Sequence, residues 1–379
     1  MASDSRTQTD RPAIASARSA AEKTSQLPQR AHDSGDCFSL AGRSNGTVAN
    51  VDGTPSTRPR PRATGKFFRV AGEKLLVRGV TYGTFRPSER GGDIGFPRPE
   101  IVQRDLAQMA MNGVNALRVY TIPPRWLLDE AARSGLRVMV GIPWEQHIAF
   151  LDESWRVHAI EQRIRAGVEA CAGHPAVLCY AVGNEIPPSI VRWVGHRRVE
   201  RHVHRLYDIA KSVDPEGLVT YGNFPSTEYL HLPFLDVVCF NVYLEQAERL
   251  DLYLARLQNL AGDRPLMIGE IGLDSRRNGQ HGQARLLYDQ LQITFSGGCA
   301  GAFVFSWTDE WHRGGQEIRD WDFGLTARNR SPKAALRPQL SGSCPRARRC
   351  RKRLRRCRPG RVPNPRLVVR RSIRSSSLI

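Results

Sequence analysis

Long hydrophobic runs are missing from these 379 residues. No stretch of about 18 apolar residues occurs, so no segment reads as a membrane-spanning helix. The N-terminal stretch MASDSRTQTDRPAIASARSA follows its charges with no apolar segment, so a secretory leader is not expected either. Together these two absences make a cytoplasmic location the expectation. Close cysteine pairs are also missing. Cys37, Cys171, Cys179, Cys239, Cys299, Cys344, Cys350 and Cys357 lack the spacing of a zinc site. Cys179 and Cys239 fall in apolar runs and read as small buried thiols in a reducing compartment. Acidic residues are missing from 341–379, which hold fourteen Lys and Arg.

That last absence accounts for much of the formal charge of +19. Residues 1–63 carry nine basic and six acidic residues, whereas 64–340 carry 33 and 31, a net of only +2. A nucleic-acid partner calls for basic charge on the folded domain, so none is expected there. Residues 1–63 are rich in Ser, Thr, Arg, Ala and Pro, and bury too little apolar surface to offset ordering entropy. They are expected to form a disordered leader. Residues 341–379 have no periodicity and are expected to be a disordered basic tail. That tail is either an arm for an anionic surface or a truncated or out-of-frame end whose native continuation is lost.

What is present, from Phe67 on, is a repeating texture. Short apolar runs occur at 75–83, 116–121, 137–144, 177–185, 218–225, 237–245, 265–272 and 301–311. Between most of them lie amphipathic stretches of helical period at 99–113, 124–135, 153–173, 191–214, 247–263 and 282–298. Several open on Pro or an acid and close on Gly or Asp. The fifth connection, STEYLHLPFLD, is short and Pro-interrupted, so no helix is assured there. Near-continuous apolar strands alternating with helices imply a parallel sheet, and eight such units imply a closed (β/α)8 barrel over 64–340.

Polar residues in these strands fall at the C-terminal ends, where the mouth of such a barrel opens. In chain order the ends offer Tyr82; Arg118 and Tyr120; Trp144 with Glu145 and His147; Asn184 and Glu185; Asn223; Asn241 and Tyr243; Glu270; and Trp307 with Asp309 and Glu310. Two carboxylates, Glu185 on the fourth strand and Glu270 on the seventh, face each other across the mouth. A retaining glycosidase needs such a pair about 5–5.5 Å apart, one as nucleophile and the other as acid and then base.

The stretches AVGNE, FNVY, IGEIG and FSWTDEW resemble those of the retaining (β/α)8 glycoside hydrolases, close to the family 2 catalytic barrel. NALRVYTIPP is similar to a stretch of the β-1,3-glucanosyltransferases. The resemblance spans roughly residues 66–336. It implies Glu185 as acid/base, Glu270 as nucleophile, Asn184 on the sugar 2-hydroxyl, Tyr243 and Arg118 beside the nucleophile, and Trp307 as a stacking platform. His147, Tyr82 and Trp144 are further candidate substrate contacts, and Trp311 and Trp321 are other faces for pyranose rings. The expected substrate is an oligo- or polysaccharide with β linkages, with no cofactor and no metal. A glycosyltransferase module, lost or separate, is a further expected partner. The β-sandwich domains that normally precede a family 2 barrel have no counterpart in 1–63, so that family's substrate is not carried over.

Plainer readings stand beside these. Asn184-Glu185 resembles a helix N-cap pair, although IPP rather than a helical pattern follows. Glu270 and Arg118 could serve structural ion pairs, and Tyr243 and Trp307 could be core aromatics. Glu145 and Glu310 are rival carboxylates, and Asp309, Glu310 and His312 do not form a convincing metal-ligand pattern. Alternative functions are glucanosyltransferase-type polysaccharide remodelling and a catalytically silent carbohydrate-binding barrel.

Overall fold

Each apolar run needs cover on both faces, and the chain supplies it by closing the runs into a ring. The structure, a computed structural model, describes residues 59–86 and 95–336. The expected tail and all but 59–63 of the expected leader lie outside the described residues. Eight strands form the barrel: β4 (Val77–Thr81), β5 (Ala116–Val119), β6 (Arg137–Gly141), β7 (Val177–Asn184), β8 (Val219–Asn223), β9 (Val237–Asn241), β10 (Leu266–Ile271) and β11 (Gly301–Val304). They pair in chain order, β11 returning to β4, and every pairing is parallel. The (β/α)8 expectation therefore holds, although the eighth strand stops at Val304 and the rest of its apolar run is loop.

Three short strands precede the barrel and have no counterpart among the apolar runs. β1 (Arg62–Thr64), β2 (Phe67–Val70) and β3 (Glu73–Leu75) make an antiparallel sheet. From it Phe68 inserts among Val77, Ala116, Met139, Val237 and Met267, which lie near the strand beginnings, and so plugs the lower end of the barrel. Arg60 anchors the approach to this sheet by a two-pronged bond to Asp214, 2.7 Å for each prong.

The helices are α1 (Pro99–Met111), α2 (Arg125–Arg133), α3 (Ser154–Glu169), α4 (Pro188–Val194), α5 (His196–Val213), α6 (Ala247–Ala261) and α7 (Ser275–Ser296). In α6, Leu250, Leu254, Leu257 and Ala261 recur every three or four residues and are buried, as an amphipathic face requires. The single helix expected over 191–214 is two, separated at Gly195, whose φ of 91° suits glycine. The fifth connection holds only a 3-10 turn, Pro225–Thr227. After β11 come two further short strands, β12 (His312–Arg313) and β13 (Gln316–Glu317), paired as a hairpin. No helix among the described residues is long and apolar enough to cross a membrane. Cys171, Cys179, Cys239 and Cys299 are free and buried.

Candidate active site

Strand alternation alone would not place both glutamates and their supports at the mouth, and two irregularities correct it. On β10, Met267 faces the barrel interior and Ile268 the outer core. The register then shifts against both neighbours, and Gly269 and Glu270 both face inward before Ile271 returns to the outer core. On β7 the pairing with β8 shifts between Ala181 and Asn184, which turns Asn184 inward toward Arg118. A bulge re-aims a side chain in this way. Glu185 follows with a φ of 52°, a left-handed backbone rare for a residue with a side chain.

Arg118, on β5, lies inside the barrel with 1% of its surface exposed. Glycines on other strands make the space: a Cβ on Gly269 would stand 2.6 Å from Arg118 Nη1, and one on Gly222 would stand 3.4 Å from Nη2 and 2.5 Å from Asn184 Oδ1. The guanidinium donates to Asn241 Oδ1 (2.8 Å) and Asn184 Oδ1 (2.7 Å) and pairs with Glu270 at 3.2 Å. Burial disfavours its cation, yet Tyr120 and Glu270 hold its pKa above the ordinary value.

Glu270 is 7% exposed, and four groups hold its carboxylate. Oε1 accepts from the Tyr120 hydroxyl (2.8 Å) and Asn241 Nδ2 (3.0 Å) and faces Arg118, while Oε2 accepts from the Tyr243 hydroxyl (2.8 Å). Asn241 Nδ2 also reaches Glu185 Oε1 at 2.8 Å. The facing oxygens of the two carboxylates therefore lie within about 6 Å, nearer the spacing of retaining pairs than that of most inverting ones. Burial, and then the charge of Glu270, raises the pKa of Glu185, with Asn241 and Arg118 opposing. Asn184 spends its carbonyl oxygen on Arg118 and Asn241, which leaves its amide N–H groups as donors without a partner among the described residues.

Five of the expected site residues thus converge: Glu185, Glu270, Asn184, Arg118 and Tyr243. Four do not. Tyr82 is 1% exposed and donates to Asp105 of α1 at 2.8 Å, away from the mouth. Trp144 packs behind the barrel wall against Phe150 and His202, its indole N–H bonded to the Val182 carbonyl. Trp307 has no exposed surface and belongs to the outer core, so it offers no stacking face in this structure. His147 is an exposed loop residue. The rival carboxylates are engaged elsewhere, Glu145 with Arg163 (3.0 Å) and Glu310 with Arg330 (2.7 Å), while Asp309 pairs with the buried Lys333 (2.8 Å).

Tyr120 and Asn241 are strand-end residues to which the resemblance gives no role. Each lies two residues from one that it does assign, Arg118 and Tyr243, and the period of two puts such pairs on one strand face. The aromatic belt is different again. Tyr120 meets Trp311 at 5.3 Å between ring centroids, Trp311 meets Phe305 at 4.7 Å, and Phe305 meets Tyr243 at 6.2 Å. With Trp321 and Phe323 packed on Phe305, the belt runs around Glu270 from one of its tyrosines to the other.

Against known proteins, the model described as "Glycosyl hydrolases family 2, TIM barrel domain" matches residues 62–320. The 1,3-beta-glucanosyltransferase GAS2 of Saccharomyces cerevisiae is 30% identical over 138 residues, 32% of this chain and 24% of that protein. A beta-galactosidase of Psychromonas ingrahamii is 26% identical over 260 residues, 64% of this chain and 23% of that protein. The crystal structure of a beta-galacturonidase from Eisenbergiella tayi bound to galacturonate shares the fold, with a TM-score of 0.62 at 21% identity over 73% of this chain and 52% of that one. This chain therefore spans only 24% and 23% of these curated relatives' lengths. The family match covers more than half of the sequence and coincides with the barrel that carries the two glutamates, so the chain belongs to glycosyl hydrolase family 2 through its TIM barrel domain.

Proposed function

We propose that this barrel hydrolyses a β-linked glycan with retention of configuration, through a covalent glycosyl-enzyme on Glu270. The observation that carries the reading is the single Asn241 amide bonded to both carboxylates, which keeps them close enough for direct attack and leaves little room for an intervening water. In the first step a Glu270 oxygen attacks the anomeric carbon while Glu185 gives its proton to the departing oxygen. In the second, Glu185 takes a proton from water, whose oxygen attacks the same carbon and releases Glu270. The raised pKa of Glu185 suits the acid of the first step. Tyr120, Tyr243, Asn241 and Arg118 orient Glu270, and the unpartnered Asn184 amide is a donor for a sugar hydroxyl. Transfer to a second sugar in place of water uses the same two steps, and the Saccharomyces cerevisiae relative keeps that alternative in view.

Chemical rescue tests the assignment. Glu270→Ala is expected to abolish turnover of aryl β-glycosides, with azide or formate restoring a product of inverted configuration. Glu185→Ala is expected to spare the first step for good leaving groups, with azide giving a glycosyl azide of retained configuration. Wild-type turnover in either variant, or the same stereochemistry from both, would defeat it.

A further inference from the structure

Beside the nucleophile, on the far side of Tyr243, a cavity of about 380 Å³ is bounded by the ends of β9 and β10 and the first turn of α7. That volume is at the small end of ligand pockets, roughly 300–1,000 Å³. Two aromatic rings make one corner: Tyr243 and Phe323 stand 6.0 Å apart between centroids at 88°. Tyr243 is shared with the catalytic pair, its hydroxyl on Glu270 and the residue 41% exposed. Glu245, Asp274, Arg277 and Asn278 also line the cavity. Asp274 is 6% exposed, and its Oδ1 accepts from the backbone of Arg276 and Asp322 at 2.9 Å each. Its Oδ2 accepts no hydrogen bond among the described residues, Arg277 Nε standing 3.5 Å away. Asn278 spends its amide nitrogen on the Asp274 carbonyl (2.9 Å) and keeps its side-chain oxygen without a partner among the described residues.

Aromatic faces set at right angles, together with planar polar side chains that have unused acceptors, match a pyranose. Its C–H face packs on a ring while its hydroxyls donate outward. The two carboxylates of the lining outnumber its one cation, which disfavours a uronate and favours a neutral sugar. Resting on the proposed glycosidase reading, we infer that this cavity is a second sugar subsite. It takes a neutral pyranose of the same chain whose scissile bond lies between Glu185 and Glu270. The barrel then works on oligosaccharides in preference to single-sugar glycosides.

The test compares aryl β-glycosides of one sugar with aryl β-linked di- and trisaccharides of that sugar, in gluco, galacto and galacturono series. Wild type is expected to turn over a neutral longer substrate with a kcat/KM at least tenfold above that of its single-sugar glycoside. Glu245→Ala and Asn278→Ala are each expected to lose about tenfold on the longer substrate, the worth of one hydrogen bond, and less than twofold on the short one. Both positions are at the cavity wall and outside the catalytic pair. A parallel titration follows binding of β-1,3- and β-1,4-linked gluco- and galacto-trisaccharides to Glu185→Gln protein by calorimetry. Hydrolysis with no gain from length, or with equal loss on short and long substrates, overturns the subsite and leaves the catalytic reading standing. Trisaccharide binding that Glu245→Ala weakens, without turnover of any aryl glycoside, keeps the subsite and overturns the catalytic reading. Absence of trisaccharide binding, or preference for the galacturono series, overturns the neutral-sugar subsite.

Discussion

Asn241 has two amide hydrogens and three acceptors around them: Asn184 Oδ1, Glu185 Oε1 and Glu270 Oε1. Burial, and then the charge facing it across this amide, favours the neutral form of Glu185, which suits the acid role proposed for it. Its folded pKa is raised by burial first and by Glu270 second. A carboxyl whose pKa rises on folding contributes most to stability when protonated, below its unfolded value, and loses that contribution as pH climbs through the folded value. Glu185→Gln is therefore expected to raise Tm increasingly as pH climbs above the ordinary carboxylate range and to leave it unchanged below that range. Melts across a pH series check this, and a gain largest in acid would reverse the sign. If Glu185 is the acid proposed above, the basic limb of the kcat/KM profile reports the same proton and should vanish in that variant with activated aryl substrates. Tyr120→Phe isolates a second contact. Losing one donor to a charged acceptor costs about 1.5–3 kcal/mol, so Tm should fall, and kcat/KM should fall roughly ten- to hundredfold because Glu270 loses one of the groups that orient it.

At the scale of elements, the site depends on small residues beside one large one. Arg118 fits inside the barrel only because β8 and β10 present Gly222 and Gly269 to it. Gly269→Ala would put a methyl 2.6 Å from Arg118 Nη1 and Asn241 Oδ1 and 2.7 Å from Cys239 Sγ, so the buried network must move. Overpacking of this kind costs about 1–3 kcal/mol. Activity is expected to fall further than stability, by tenfold or more, because Asn241 sets the carboxylate spacing; kcat/KM beside a denaturant melt separates the two. The same details mark the limit of reading from sequence. Strand order, barrel closure and the strand-end places of Glu185, Glu270, Asn184, Arg118 and Tyr243 follow from apolar period and strand-end polarity, but the inward turn of Asn184 and Glu270 does not. Trp144, Trp307 and Tyr82 point away from the mouth although they sit at strand ends, because a side chain there faces mouth or helix layer according to alternation and bulges. A one-residue bulge leaves no mark in composition, and the belt of Phe305, Trp311, Trp321 and Phe323 is built by a long loop with no period to read.

The whole molecule divides its labour between the two ends of the barrel. The mouth holds the carboxylates, and the lower end is closed by the β1–β3 sheet, with Phe68 fully buried against the interior residues Val77, Met139, Leu178 and Phe303. Above that layer come Cys239 and Ala181, and then Arg118 and the asparagines, so the plug and the site are stacked along one axis with a packed layer between them. Close packing transmits strain, but a cavity left at the base can be absorbed locally if the intervening layer holds. Phe68→Ala should cost about 3–5 kcal/mol, as expected for removing a buried ring that its surroundings cannot fully refill. Folded protein at low temperature should nevertheless keep kcat and KM within about twofold of wild type, since bottom-face residues of such barrels serve stability while the C-terminal face serves chemistry. Thermal melts together with steady-state kinetics well below the variant's Tm make the comparison. If kcat falls tenfold while the protein remains folded, the plug supports Arg118 through Cys239 and Met139, and the two ends are one mechanical unit.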